Sequence, residues 1–174
     1  YLQALTIASK TPVIQYVVVN ATDVLLEYSG GWADIRRQVP VDAATTMMAY
    51  SMSKTITAVA ALQLVEAGKV GLDDPVARYV DSFPYGTSVT VRQLIAHTSG
   101  IPNPIPLRWV HPAARHGSFD ENTALAAVLH DHPRLSFEPG TKYAYSNIGY
   151  WLLGKVVERA SGETFVAYVS EHIL

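Results

Sequence analysis

Residues 51–68, SMSKTITAVAALQLVEAG, form the segment that decides the fold. Apolar side chains occur on nearly every side of the helix that this stretch predicts, which is typical of a buried helix. Gly68 predicts its C-terminal end. The residues before this segment predict strands and those after it predict further helices, so the sequence indicates an α+β fold.

A strand pair is predicted ahead of this helix. Residues 13–19 are rich in β-branched and aromatic side chains, residues 20–23 are typical of a turn, and residues 24–28 predict a second strand ending at Gly30-Gly31. We expect one domain over residues 1–174, with sheet strands in 1–46 and a mainly helical region in 47–174.

Further helices are predicted from capping signals. Asp74-Pro75 is typical of an N-cap followed by proline at the first helical position. Capping boxes are predicted at two pairs, Thr90 with Gln93 and Ser118 with Glu121. Residues 146–160 form an amphipathic pattern, and a last helix is predicted from Phe165.

A long irregular loop is predicted over residues 99–117. Loops of this length inside compact domains are often functional. We expect it to border a cleft and to shape a substrate pocket through Pro102, Pro104, Pro106 and Trp109.

Composition excludes several classes of protein. The chain has 174 residues, 49% of them hydrophobic and only 16% charged, against a usual charged share of about 25%, so it is not a disordered chain. A net charge of −2 and a pI near 6.3 argue against a nucleic-acid partner. No apolar run approaches the roughly 18 residues of a transmembrane segment. The absence of cysteine excludes disulfides, thiolate metal ligands and cysteine nucleophiles.

The first candidate catalytic pair is Ser51 and Lys54, an S-x-x-K pattern at the start of the buried helix. Residues three apart share one helix face, so the lysine amine can reach the serine hydroxyl. A neutral lysine beside a serine is a competent general base for nucleophilic attack. The tetrapeptide alone is weak evidence, because Ser51 is equally typical of an N-cap and Lys54 of a solvated side chain.

A second candidate group is Tyr145 and Asn147, at the start of the amphipathic helix. Tyr145 could take or give a proton, and Asn147 could orient a substrate carbonyl or the lysine. Taken alone, a core tyrosine beside an N-cap residue is the more common explanation of this pattern.

The remaining polar clusters favour structural roles. We expect His97 to bond the loop backbone rather than act as a base, and Asp34 to be a turn or cap residue. His130-Asp131-His132 is typical of a solvated helix end rather than a metal site.

Taken together, these residues resemble the serine β-lactamase and penicillin-binding-protein superfamily, in the branch that contains class C β-lactamases, DD-peptidases and β-lactamase-like carboxylesterases. Ser51 to Lys54 resembles its S-x-x-K motif, and Tyr145-Ser-Asn147 resembles the Y-x-N form of its second motif. Further segments are similar to family landmarks in family order: residues 31–34, 62–68, 72–75, 89–94, 97–100 and 139–140.

The resemblance implies roles for these residues. Ser51 would be the acylated nucleophile and Lys54 its activating partner, Tyr145 a general base, and Asn147 a hydrogen-bond partner of the substrate amide or of Lys54. The Ser51 backbone N–H would supply half of the oxyanion hole. Which group takes the serine proton is left open between Lys54 and Tyr145.

One expected motif does not occur: the third family element, K-T-G or H-x-G on a sheet strand, would follow well downstream of Tyr145. We therefore expect the chain to be the N-terminal portion of the fold, without the C-terminal sheet strands, and to need the remainder of the domain or a partner chain to complete its site. A natural half-size protein is the third alternative. Apolar surface meant for that remainder would explain the low charge.

The leading functional hypothesis is a serine hydrolase that acts on a small-molecule ester, β-lactam or D-Ala peptide. The alternative is a catalytically incomplete binding or scaffold module. The resemblance implies no cofactor and no metal. It favours a periplasmic or secreted location over a cytoplasmic one, while the sequence itself assigns none.

Overall fold

The N-terminal part of the protein is built from strands and the rest from helices, which confirms the predicted α+β class. The computed structural model describes residues 1–8, 10–105 and 112–174. These residues fall into two compact units, Tyr1–Ala49 and Tyr50–Leu174.

The first unit is a three-stranded antiparallel sheet with a short helix. Helix α1 (Leu2–Ile7) precedes strands β1 (Val13–Val19), β2 (Val24–Asp34) and β3 (Val39–Pro40), which lie in the order β1-β2-β3. The sequence predicted the hairpin of β1 and β2 but neither α1 nor β3.

The predicted end of the second strand at Gly30-Gly31 is wrong, since β2 continues to Asp34. Gly31 has a φ of +95°, and a Cβ there would collide with the carbonyl of Pro12. That carbonyl accepts a hydrogen bond of 2.8 Å from the Trp32 N–H. The glycine therefore lets the neighbouring backbone approach closely and does not terminate the strand. Asp34 is a turn residue as predicted, because its Oδ1 accepts from the N–H groups of Arg36 and Arg37.

The second unit is helical and contains the main hydrophobic core. Its helices are α2 (Ser53–Glu66), α3 (Val91–Ile95), α4 (Glu121–Asp131), α5 (Asn147–Ser161) and α6 (Phe165–His172). Single 3₁₀ segments lie at Tyr50–Met52, Val76–Arg78 and Ala113–Ser118. Fully buried side chains from α2, α3 and α5 meet in the core, among them Leu64, Leu94, Ile148, Leu152, Leu153 and Val156.

Helix α2 is less buried than its composition predicted. Thr57, Ala60, Ala61 and Leu64 are buried on one side, whereas Met52, Val59 and Leu62 are exposed. Because these exposed residues recur at helical spacing, α2 has an apolar stripe that the described residues of this unit leave in contact with solvent.

Two of the predicted caps are wrong and one is confirmed. Thr90 and Gln93 form both bonds of a capping box on α3. The N-cap of α4 is Asp120, whose carboxylate accepts from two backbone N–H groups, and Ser118 instead bonds the Arg115 carbonyl. Asp74 does not cap a helix: its carboxylate accepts from the Gly71 N–H and the Tyr79 hydroxyl.

Among the described residues, none of the helices has the length and apolar character needed to cross a bilayer.

Candidate active site

Ser51 lies in the 3₁₀ turn that leads into α2, one residue after a strained backbone position. Tyr50 has a φ of +45°, a conformation that costs a non-glycine residue of order 1–3 kcal/mol. The N-cap of α2 is Met52 and makes no side-chain capping bond. Ser51 is therefore not an ordinary N-cap, and its hydroxyl is left for another partner.

That partner is Tyr145. The Ser51 Oγ lies 2.6 Å from the Tyr145 hydroxyl, and either group can be the donor. The Lys54 Nζ lies 3.4 Å from the same Oγ and donates a shorter bond of 2.7 Å to the Asn147 Oδ1. The structure thus brings all four predicted site residues into one hydrogen-bonded cluster, and their chemical roles stay predictions.

Tyr145 and Asn147 flank the N-cap of α5, which is Ser146. The Ser146 hydroxyl is buried and accepts a hydrogen bond of 3.0 Å from the Gly149 N–H. Because Ser146 is fixed, the side chains of Tyr145 and Asn147 are held at the N-terminus of α5. The alternative of a core tyrosine fails here, since Tyr145 is 39% exposed.

His97 holds the same segment from the other side, as predicted for a structural histidine. Its Nδ1 accepts from the Ser146 N–H at 3.2 Å and its carbonyl accepts from the Ala144 N–H at 2.8 Å. The imidazole packs against the rings of Tyr145 and Tyr150, with ring centres 4.5 and 4.8 Å away. Burial, with a smaller effect from the Lys54 charge, lowers the pKa of His97 below 6.5.

The electrostatics of the cluster lower the pKa of Tyr145. Hydrogen bonding from the Lys54 ammonium is the main cause that lowers the pKa of Tyr145 below 10.0; the Ser51 hydroxyl adds to it and burial opposes it. The Lys54 Nζ lies 4.9 Å from the centre of the Tyr145 ring. Tyr150 shows the opposite behaviour, since burial raises its pKa and its hydroxyl donates to the Ile95 carbonyl.

Asn103 belongs to the surroundings of the cluster and was not found from the sequence. Its Oδ1 accepts a hydrogen bond of 2.7 Å from the backbone N–H of Asn147. An asparagine between prolines is typical of any turn, so no local signal marks this contact. Of the loop residues predicted to shape a pocket, Pro106 and Trp109 lie outside the described residues, and the Pro102 carbonyl lies 3.5 Å from the Ser146 hydroxyl.

A cavity of about 250 Å³ adjoins Lys54 and Asn147 between α2 and α5. Lys155 lies in its wall and forms ion pairs of 2.6 Å with Glu121 and 2.8 Å with Glu158. Burial lowers the pKa of Lys155, but these two carboxylates outweigh it and raise the pKa overall. Lys54 and Asn147 thus line a cavity as well as belonging to the cluster.

One group of side chains in the described part of the chain has the spacing of metal ligands. Ligand atoms of Glu163, Glu171 and His172 lie within 4.8 Å of one another near the end of α6. The group includes none of the predicted site residues. The His172 Nε2 lies 3.1 Å from the Glu163 Oε1, a hydrogen bond that accounts for the approach of these two side chains.

The fold and the cluster define a protein of the β-lactamase-like class. The chain belongs to the beta-lactamase family, whose model matches residues 2–174. This confirms the resemblance derived from the sequence.

Known proteins agree with this assignment. Penicillin-binding protein 4* of Bacillus subtilis is 32% identical over 152 residues, which are 87% of this chain and 33% of that protein. The octameric penicillin-binding protein homologue from Pyrococcus abyssi is 28% identical with a TM-score of 0.81, over 99% of this chain and 40% of that one. A D-amino acid amidase from Ochrobactrum anthropi shares the fold at 22% identity, with a TM-score of 0.82 over 99% of this chain and 47% of that one. The chain thus spans about a third of the length of the curated relative it matches.

Proposed function

We propose that this protein is a serine hydrolase that cleaves an ester or amide bond through an acyl-Ser51 intermediate. The observation that carries the proposal is the position of the Ser51 Oγ, 2.6 Å from the Tyr145 hydroxyl and 3.4 Å from the Lys54 Nζ. A nucleophile within hydrogen-bond reach of a base, with that base oriented by a further group, is the arrangement that acyl transfer requires.

In the acylation step, the Ser51 Oγ attacks the substrate carbonyl carbon and its proton passes to the Tyr145 oxygen. Tyr145 is the better acceptor of the two candidates, because it is closer to the Oγ and its pKa is lowered by Lys54. The Lys54 ammonium, fixed by Asn147, stabilises the phenolate. When the tetrahedral intermediate collapses, the leaving group takes the proton from Tyr145 and the acyl group stays on Ser51.

In the deacylation step, a water molecule attacks the acyl carbon and gives its proton to Tyr145, which returns it to the Ser51 Oγ. The oxyanion of each intermediate needs preorganised donors. The Ser51 N–H is one candidate, because the first N–H groups of a helical segment have no partner within it.

The substrate is a small molecule with a β-lactam, a D-Ala peptide or a carboxylester group. The family assignment supports this range. Met52, next to the nucleophile and 76% exposed, suits an apolar acyl group. Rates measured with esters of increasing chain length, cephalosporins and D-Ala-D-Ala peptides would separate the three.

The test is covalent labelling with a fluorescent penicillin or a fluorophosphonate. We expect Ser51→Ala to abolish labelling and Ser53→Ala, the same change two residues away, to retain it. Labelling that persisted in Ser51→Ala would disprove the assignment.

Lys54→Ala should slow acylation by orders of magnitude, because it removes the charge that stabilises the Tyr145 phenolate. Lys69→Ala serves as the control for loss of a lysine outside the cluster. An unchanged acylation rate in Lys54→Ala would contradict its role.

A catalytically incomplete module is the second candidate, favoured by the 33% of the Bacillus relative that the chain spans. In that case residues 1–174 are one portion of a larger β-lactamase-like domain. Hydrolysis of nitrocefin or p-nitrophenyl butyrate only after addition of the rest of the domain or a partner chain would support it.

A further inference from the structure

Two segments far apart in the sequence are joined by a row of hydrogen bonds beside the cluster. The loop from His97 to Asn103 accepts from the backbone N–H groups of Ala144, Ser146 and Asn147. The bond to Asn103 is the shortest in this row at 2.7 Å, and it joins residues 44 positions apart.

Asn103 provides a hydrogen-bond acceptor for a backbone N–H that the N-cap of α5 does not pair. The Ser146 hydroxyl accepts from the Gly149 N–H, the third residue of the helix, and leaves the first N–H, that of Asn147, without a partner inside the helix. The Asn103 side-chain carbonyl accepts this N–H from outside. Helix α5 therefore has a second cap that comes from the proline-rich loop.

The N–H that Asn103 accepts belongs to the residue whose side chain holds Lys54. Asn147 donates through its backbone to Asn103 and accepts at its Oδ1 from the Lys54 Nζ, also at 2.7 Å. The backbone bond limits movement of the Asn147 Cα, and the side-chain bond then sets where the lysine amine lies relative to Ser51.

We propose that Asn103 is a positioning residue, which fixes the Asn147 backbone so that its side chain holds Lys54 at the nucleophile. The proposal rests on the proposed function, because it gives Asn103 an effect on acylation through Lys54. Small displacements of catalytic groups have large effects on rate, so an acceptor one residue removed from the chemistry affects it measurably.

The test compares Asn103→Leu, which keeps the shape of the side chain and removes the acceptor, with Asn103→Asp, which keeps an acceptor. Asn122→Leu is the control, since it makes the same change at an exposed asparagine in the first turn of α4. Two quantities are measured: amide hydrogen exchange at Asn147 by NMR, and the rate of labelling by a fluorescent penicillin as a function of its concentration.

In Asn103→Leu we expect exchange at the Asn147 amide to become about tenfold faster, because its hydrogen bond is lost. The maximal acylation rate constant should fall about tenfold, while the half-saturating probe concentration stays near that of the wild type. Asn103→Asp should restore both quantities, and Asn122→Leu should change neither.

Three results would overturn the proposal. Unchanged exchange in Asn103→Leu would show that the contact does not hold the helix. Faster exchange with an unchanged acylation rate would make Asn103 only a structural cap. Slow acylation in Asn103→Asp despite restored exchange would mean that the amide group acts on the substrate directly.

Failure of the proposed function is a separate outcome. Wild-type protein that is not labelled at Ser51 would disprove the hydrolase, and the positioning role with it, whatever exchange at Asn147 shows. If the wild type is labelled at Ser51 and any of the three results above is obtained, the hydrolase proposal is retained and only the positioning role of Asn103 is rejected.

Discussion

At the scale of single residues, the site depends on a phenol and an amine that share one serine hydroxyl. Tyr145 contacts the hydroxyl closely, while Lys54 lies farther from it and is held by Asn147. In the proposed mechanism the lysine acts chiefly by charge, since hydrogen bonding from Lys54 lowers the pKa of Tyr145. The proposal therefore gives proton transfer to Tyr145 and electrostatic support to Lys54.

Tyr145→Phe tests that division. The substitution keeps the ring beside His97 and removes the hydroxyl, so we expect acylation to slow by about 10²–10⁴-fold, the usual contribution of a general base. Tyr143→Phe, at a tyrosine that is 66% exposed, is the matched control. In the wild type, acylation should rise with pH through a midpoint below 10.0. Equal rates for both variants and the wild type would contradict the role of Tyr145.

His97 gives a prediction about stability and pH. Its folded-state pKa is lowered, so between the folded value and 6.5 the unfolded chain binds the proton more readily. The stability that it contributes is therefore present above pH 6.5 and is lost as the pH falls through the folded pKa. Protonation at Nδ1 also removes the acceptor for the Ser146 N–H.

Urea unfolding at pH 7 and pH 5 measures this effect. We expect the free energy of unfolding to fall more on acidification in the wild type than in His97→Asn. Asparagine does not titrate, and it tolerates the left-handed backbone of this residue, whose φ is +55°. His130→Asn, at an exposed helix end, should behave as the wild type. If the free energy of unfolding depends on pH in His97→Asn as it does in the wild type, the predicted contribution of His97 is disproved.

The sequence predicted the four members of the cluster because two short motifs, each weak alone, occur together with family landmarks in family order. Ser51 and Lys54 lie within one helical turn, and Tyr145 and Asn147 flank one cap. Asn103 could not be predicted, because its function depends on a contact with a residue 44 positions away. The strain at Tyr50 is a property of the backbone that residue type alone does not indicate.

At the scale of secondary-structure elements, the N-terminus of α5 organises the site. Ser146 is 1% exposed, and its hydroxyl both accepts from the Gly149 N–H and lies within 3.5 Å of the Pro102 carbonyl. One small side chain thus caps the helix and connects it to the loop.

Ser146→Ala should lower the free energy of unfolding by about 1–2 kcal/mol, as expected for loss of a buried cap. It should also slow labelling of Ser51, because Tyr145 and Asn147 lie on either side of it. Thr164→Ala removes the cap of α6 and should lower stability without slowing labelling. Both quantities can be measured on one preparation by urea unfolding and by the penicillin probe. Unaltered labelling in Ser146→Ala would show that the cap of α5 does not position the site residues.

The prediction of elements succeeded where a periodic pattern runs over many residues and failed where it depends on a single residue. The amphipathic period of α5 was sufficient to place it. Gly30-Gly31 predicts the end of a strand, but Gly31 instead allows a close approach of the neighbouring backbone. The sequence predicts Ser118 with Glu121 as the capping box of α4, but the Asp120 carboxylate, which accepts from two backbone N–H groups, caps the helix instead.

At the scale of the whole molecule, each of the two units leaves apolar side chains in solvent. In the first unit these include Val17, Val24 and Leu25 on the hairpin, and in the second Val59 and Leu62 on α2. The low charge of the sequence therefore corresponds to exposed apolar surface as well as to a buried core.

We expect the 174-residue chain to bind the dye ANS strongly and to self-associate. In the double variant Val59→Thr, Leu62→Gln, dye fluorescence should fall, while the free energy of unfolding changes by no more than about 0.5 kcal/mol, as is usual at exposed positions. Light scattering and dye titration measure both effects. A monomer that does not bind the dye would contradict this prediction.

The separation of the site residues along the chain has a consequence for synthesis of the protein. Ser51 and Tyr145 are 94 residues apart, and Lys54 and Asn147 are 93 apart. At translation rates of about 5–20 residues per second, the serine is made roughly 5–20 s before its tyrosine partner. During that interval the nascent chain contains Ser51 and Lys54 without Tyr145 and Asn147. The four-residue cluster can form only after α5 has emerged and packed, so under the proposed function we expect an unfinished chain that ends before α5 not to be labelled at Ser51.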